Sequence, residues 1–163
     1  MKRILIIWHS RTGTARAMAE AAAEGARQEP DIEVRLVTSE AATSADLLAA
    51  QAYLFAGPEN LAALSGEMKA MFDRTYYDVL DQLNARPYGH LIAAGSDGTG
   101  AARQLARIVT GWRLKPIAEP VIHCTHAQTA EAIMASKHMT SKSLKPCHDL
   151  GAAMAAGLAL GIF

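Results

Sequence analysis

Ser10, Thr12 and Thr14 place three hydroxyls within five residues around Gly13, directly after the apolar run Ile4-Leu5-Ile6-Ile7-Trp8. Hydroxyls at this spacing, with a glycine to bend the backbone, suit a dianionic phosphate monoester. An alanine-rich stretch from Ala15 to Arg27 predicts a helix that starts at once. The first amides of such a helix have no internal partner, and the aligned peptide dipoles favour an anion there. Other phosphate pockets fit less well. No Lys-Ser or Lys-Thr pair follows Gly13, which argues against ATP or GTP hydrolysis, and the single glycine argues against a dinucleotide fingerprint. The loop carries no cysteine nucleophile, and His9 and Ser10 stand where a phosphoacceptor would place acidic residues. What is left is a mononucleotide, held by hydroxyls and by the amides of Arg11, Gly13 and Ala15. The plainer alternative is a Ser/Thr-rich helix cap with no ligand.

Two more segments have the same strand-loop-helix setting. Ala56-Gly57-Pro58-Glu59-Asn60-Leu61 leads into a helical stretch containing Gly66-Glu67-Met68-Lys69-Ala70-Met71-Phe72-Asp73-Arg74, and Gly95-Ser96-Asp97-Gly98-Thr99-Gly100-Ala101 follows the fourth apolar run. Together with Ser10-Arg11-Thr12-Gly13-Thr14-Ala15 they resemble the three flavin loops of the flavodoxin superfamily. The closest likeness is to its NAD(P)H-dependent FMN and quinone reductases, and it covers roughly residues 2 to 125. The resemblance implies FMN, with Ser10, Arg11, Thr12, Gly13, Thr14 and Ala15 on its phosphate and Pro58, Glu59, Asn60 and Leu61 along one flank of the ring. Asn60 is then the catalytic candidate, placed to hydrogen-bond the ring or a substrate carbonyl. Amides of the glycine-rich third loop, Ser96, Asp97, Gly98, Thr99, Gly100 and Ala101, are expected at the pyrimidine edge, although such a loop is also an ordinary strand-to-helix turn. Arg11 has an alternative as a solvated side chain.

The resemblance further implies NADH or NADPH as co-substrate, a quinone or similar small-molecule electron acceptor, and a homo-oligomer that completes the site. Departures from the family pattern fall at Ala15, where a threonine is usual, at Thr14 for asparagine, and at Leu61, where many quinone reductases have an aromatic residue. Ala62-Ala63 replaces a frequent Gly-Asn. A flavodoxin-type electron carrier between protein partners is the alternative function, and a scaffold without flavin is a third.

The elements needed to position these loops are legible in the hydropathy pattern. Strands are expected near 3–9, 32–38, 51–56, 88–95 and 117–124, and helices near 14–28, 43–50, 64–83, 100–112 and 146–160. Strands alternating with helices predict one α/β domain over residues 1–163, a flavodoxin-like doubly wound parallel sheet in the order 2-1-3-4-5. In that order all three loops leave the carboxyl ends of strands where the winding reverses, which is where such sheets bind ligands. The segment Thr125 to Pro146 reads as a long irregular connection, free to move or to cover the site.

Composition narrows the partners. A chain of 163 residues is long enough to bury about 70% of its unfolded surface in one core. Sixteen basic and sixteen acidic residues give zero formal charge, which argues against nucleic acid or an anionic membrane. It also favours an enzyme over an electron carrier, since carriers of this superfamily are usually strongly acidic. The five-residue apolar run at Ile4–Trp8 is short for a secretory signal, and Leu150–Phe163 is shorter than the roughly 20 residues that span a bilayer, so a cytoplasmic protein is expected. Cys124 and Cys147 are expected to be reduced. No metal site is expected of His123, Cys124, His126, His138, Cys147 and His148, which include neither a C-x-x-C nor an H-x-x-x-H pair. Met68, Met71 and Phe72 read as core, and Arg103 and Arg107 as an exposed helix face.

Overall fold

The first apolar run is buried on both faces: Ile4, Leu5, Ile6 and Ile7 are all 0% exposed. A strand of this kind needs helices above and below it, the signature of a covered parallel sheet. The computed structural model, which describes residues 1–163, has that arrangement. In chain order the elements are β1 (Lys2–Trp8), α1 (Thr14–Ala26), β2 (Ile32–Thr38), α2 (Ser44–Ala49), β3 (Ala52–Asn60), β4 (Ala63–Leu64) and α3 (Gly66–Thr75). They continue with β5 (Pro87–Ala94), α4 (Thr99–Gly111), β6 (Lys115–Pro116), β7 (Val121–Cys124), α5 (Ala130–Met134) and α6 (Ser141–Leu160).

The sheet runs β2-β1-β3-β5, with β6 and β7 both on the outer edge of β5. Every pairing is parallel except β4, which folds back antiparallel on β3. Ile6 sits opposite Leu36 on one side and Leu54 on the other, so β1 is central and the carboxyl ends of β1, β3 and β5 lie together. This is the expected flavodoxin-like order, with the fifth strand in two pieces.

Side chains alternate between two cores. On the α3 and α4 face, Phe55 packs on Phe72 and Phe72 on Trp112, each pair with ring centroids 5.4 Å apart. On the other face, Met18 and Ala22 of α1 meet Met154 and Leu158 of α6 over Ile6, Leu54 and Leu91. The two helices approach through paired glycines. A Cβ on Gly25 would fall 2.0 Å from the His148 carbonyl oxygen, and one on Gly151 would fall 1.9 Å from that of Ala22. Arginines fix the far connections: Arg86 donates to the carbonyls of Leu47, Leu48 and Ala50 at the end of α2, where a cation also complements the helix dipole, and to the Tyr53 hydroxyl at 2.8 Å.

Several elements differ from expectation: β3 runs on past 56 to Asn60, β4 is an added strand, and α5 lies within the segment expected to be irregular. The helix expected over 64–83 ends at Thr75, and residues 76–85 form successive turns and bends with Asp81 and Ala85 at positive φ. Buried Val79 and Leu83 keep a helical spacing that the backbone does not follow. The fifth strand breaks because four residues, Ile117 to Pro120, stand where β5 offers only two, so the ladder lapses after Ile117 and resumes at Val121. The last helix starts at Ser141 rather than 146: the Thr140 hydroxyl accepts from the Ser143 amide at 3.1 Å and caps it, and Pro146 lies on its exposed side. No helix is long and apolar enough to cross a membrane.

Candidate functional site

β1 ends at Trp8, and the chain turns through residues 9–13 into α1 with Gly13 at φ 105°, a left-handed conformation that suits glycine. The Gly13 amide donates to the Ser10 hydroxyl oxygen at 3.0 Å, an internal brace of the loop. No side chain caps α1, and the amides of Arg11, Thr12, Thr14, Ala15 and Arg16 have no protein partner. Thr14 is 3% exposed and its hydroxyl also lacks a partner. An unpaired donor set at a helix N-terminus, with a buried hydroxyl among it, calls for an anion.

These groups open onto a cavity of about 110 Å³ at the carboxyl end of the sheet. Ser10, Arg11, Thr12, Thr14 and Ala15 line it from the first loop, and Pro58, Glu59 and Asn60 from the second. Arg11 forms no salt bridge, so its charge is free for a ligand. The backbone of Asn60 pairs with Ala63, while its side-chain amide on the cavity wall has no partner. His9 ties the first loop to the start of α3, with Nδ1 2.9 Å from the Ser65 hydroxyl.

Two parts of the expected site are arranged differently. Leu61 does not line the cavity. It stands fully exposed at the tip of the β3–β4 hairpin, where Leu61 and Ala62 both take positive φ, 52° and 65°. Of the third loop, only Gly95 reaches the cavity; Ser96, Asp97, Gly98, Thr99, Gly100 and Ala101 lie outside it. The two carboxylate oxygens of Glu59 accept from the amides of Gly98 and Ala101, each at 2.9 Å, at the N-terminus of α4. Those amides therefore serve inside the protein, where a carboxylate complements the helix dipole. Asp97, at the surface, folds back on its own loop and accepts from the Thr99 hydroxyl at 2.8 Å. Gly100 leaves room for the hairpin, since a Cβ there would lie 2.2 Å from the Ala62 carbonyl oxygen.

The remaining wall comes from residues that carry no motif. Thr125, Ile133, Met134 and Lys137 line the cavity from the segment after β7. This strap is fastened through the backbone: the Lys137 amide donates to the Thr12 carbonyl at 2.8 Å. The Lys137 ammonium is spent on the carbonyls that end α5. Backbone fastening leaves no residue signature, and the unusual length of the segment is the one sequence signal for it.

The histidines and cysteines of residues 123–148 are dispersed. Cys124 donates its thiol to the Asp97 carbonyl at 3.6 Å, and His148 meets Gln28. Cys147 is buried on the inner face of α6, and burial pushes its thiol up to about 11, which keeps it protonated and inert. Arg103 and Arg107 are exposed on α4, and Met68, Met71 and Phe72 are core.

Comparison with known proteins agrees with this geometry. A curated flavodoxin from Aquifex aeolicus is 37% identical over 108 residues, which is 65% of this chain and 56% of that one, so the chain spans just over half the length of that relative. Among solved structures, a flavodoxin from the domain Archaea superposes with a TM-score of 0.78 at 17% identity, covering 96% of this chain and 99% of the other. The WrbA-like flavodoxin of Agrobacterium tumefaciens superposes with a TM-score of 0.77 at 18% identity, covering 98% and 99%. These establish the flavodoxin-like fold. Taken with the flavodoxin relative, the family match supports an FMN-binding flavoprotein. The family described as NADPH-dependent FMN reductase matches residues 3–129, from β1 through all three loops and past the end of β7, and the chain belongs to that family.

Proposed function

We infer that this protein is an oxidoreductase that holds FMN, takes hydride from NADH or NADPH, and reduces a quinone or similar small acceptor. The observation that carries the cofactor is the Thr14 hydroxyl, buried and unpartnered on the cavity wall at the uncapped start of α1. The residues present fit the group. FMN, when bound, supplies the electron chemistry between nicotinamide and acceptor. The chain anchors it: hydroxyls of Thr12 and Thr14 and the free amides of the loop hold the phosphate, at about 1.5–3 kcal/mol for each hydrogen bond to the charged group. Arg11 supplies countercharge. Asn60 presents an uncommitted amide at the cavity to orient the ring or the acceptor carbonyl, and Ile133 and Met134 exclude water from above. Zero formal charge and membership of a reductase family favour the enzyme. The second reading, an electron carrier, draws on the flavodoxin relative. A homo-oligomer in the cytoplasm is part of the proposal.

Fluorescence titration tests the anchor. FMN is expected to bind, riboflavin much more weakly, and Thr14→Val to weaken FMN by about 1.5–3 kcal/mol, roughly ten- to 150-fold, with riboflavin unaffected. Equal affinities for FMN and riboflavin would remove the phosphate assignment. The FMN-loaded protein is then expected to lose its visible absorbance on adding NADH or NADPH alone, and Asn60→Ala to slow acceptor reduction more than it weakens FMN. Loss of colour only with a separate reductase would make the protein a carrier.

A further inference from the structure

The broken edge of the sheet opens a second cavity. β5 pairs with Pro116 at Tyr88 and with Val121 at Leu91, so the four residues Ile117 to Pro120 stand opposite only two, Gly89 and His90. The surplus chain bows away from the sheet and leaves a cavity of about 760 Å³, a size typical of small-molecule sites. Ala102 and Ala106 of α4 form one wall, and Ile117, Pro120 and Ile122 the other. The two cavities share no lining residue. The turn at Gly98 and Thr99 separates them, with Gly98 packed so closely that a Cβ would lie 2.5 Å from the Ile122 side chain.

His90 lines this cavity. It is 3% exposed, and neither ring nitrogen has a hydrogen-bond partner. Its ring stacks on Tyr88, with centroids 5.6 Å apart and planes at 17°. A neutral imidazole carries one donor and one acceptor, and buried polar groups without partners are rare enough to need a reason. The polar side chains that share the cavity, Tyr88, Thr99, Arg103 and Glu119, make no hydrogen bond to His90. At the mouth Arg103 and Glu119 are both without a salt bridge, so opposite charges balance and favour a neutral guest.

We propose that this cavity is a second ligand site, taking a neutral aromatic hydroxyl compound of one or two rings whose hydroxyl bonds His90 while its ring lies between α4 and the bowed edge. A hydroxyl both donates and accepts, so it satisfies His90 in either tautomer. The apolar walls select the ring. The site stands apart from the flavin reading, and an FMN titration on the same samples reports on that reading separately.

2-Naphthol, with naphthalene as the comparator that lacks the hydroxyl, tests it by calorimetry on the full chain with and without saturating FMN. 2-Naphthol is expected to bind equally in both conditions and at least about tenfold more tightly than naphthalene, the difference one hydrogen bond makes. In the unmutated protein it is expected to shift the His90 imidazole resonances, and naphthalene is not. His90→Phe keeps the ring stack and is expected to abolish the preference between the probes, while Ala106→Trp, which fills the cavity from the helix side, is expected to abolish both bindings with the melting transition retained. Displacement of 2-naphthol by FMN, a preference that survives in His90→Phe, unmoved His90 resonances, or no binding of 2-naphthol would each overturn the proposal.

Discussion

Glu59 and His90 show what a single side chain decides here. Glu59 belongs to the second loop by sequence, yet its carboxylate works on the third, bracing Gly98 and Ala101 at the start of α4. Its place in the second loop is readable from the chain. Its partners, some forty residues away, are not, because no local pattern records which amides a carboxylate reaches. That contact occupies two of the amides that the glycine-rich loop, legible as a loop, would otherwise present. His90 is held neutral by burial, which pulls its pKa down from 6.5 to about 4. Between those values the unfolded chain binds the proton and the folded protein does not, so stability is full above about pH 6.5 and falls as the pH drops towards 4. The loss amounts to about 3 kcal/mol for this one group. Urea unfolding at intervals across that window is expected to show this slope, and His90→Phe to flatten it; an unchanged slope in the variant would mean that another group carries it.

Helices and strands were legible where apolar periodicity and backbone agree, and illegible where they part. The central strands follow their continuous aliphatic runs. Val79 and Leu83 continue the spacing of Met68, Met71 and Phe72 and so mimic a longer helix, while the chain has already turned. The α1–α6 crossing was hidden for the opposite reason: Gly25 and Gly151 carry no side chain to signal it. Gly151→Ala, benign in an isolated helix, is expected to cost about 2–3 kcal/mol here, because the added methyl meets the Ala22 backbone rather than a movable side chain. A melting curve checks it, and an unchanged midpoint would show that the helices slide apart freely. The β3–β4 hairpin gives the opposite sign. Consecutive positive φ at Leu61 and Ala62 is the pattern of a tight hairpin turn that favours Asn-Gly. Ala62→Gly is therefore expected to stabilise by up to about 1 kcal/mol in denaturant unfolding, strain relief outweighing the added freedom of the unfolded chain.

Over the whole molecule, the two faces of the sheet are closed by different parts of the chain. The α3 and α4 face draws on residues 5–114, whereas the other face pairs α1 with α6. A chain stopped after Thr140 keeps every strand but leaves Met18, Ala22 and Leu91 without the cover of Met154 and Leu158. It is expected to bind a hydrophobic dye and to lose its cooperative melt while retaining much of its far-ultraviolet signal; a melt like that of the full chain would show that one face suffices. The glycine crossing also sets an order in time. α1 is synthesised well before α6, so the alanine face of α1 waits for its partner until that helix has followed. Until Ser141–Leu160 have left the exit tunnel, the nascent chain carries a sheet covered on one face and bare over much of the other.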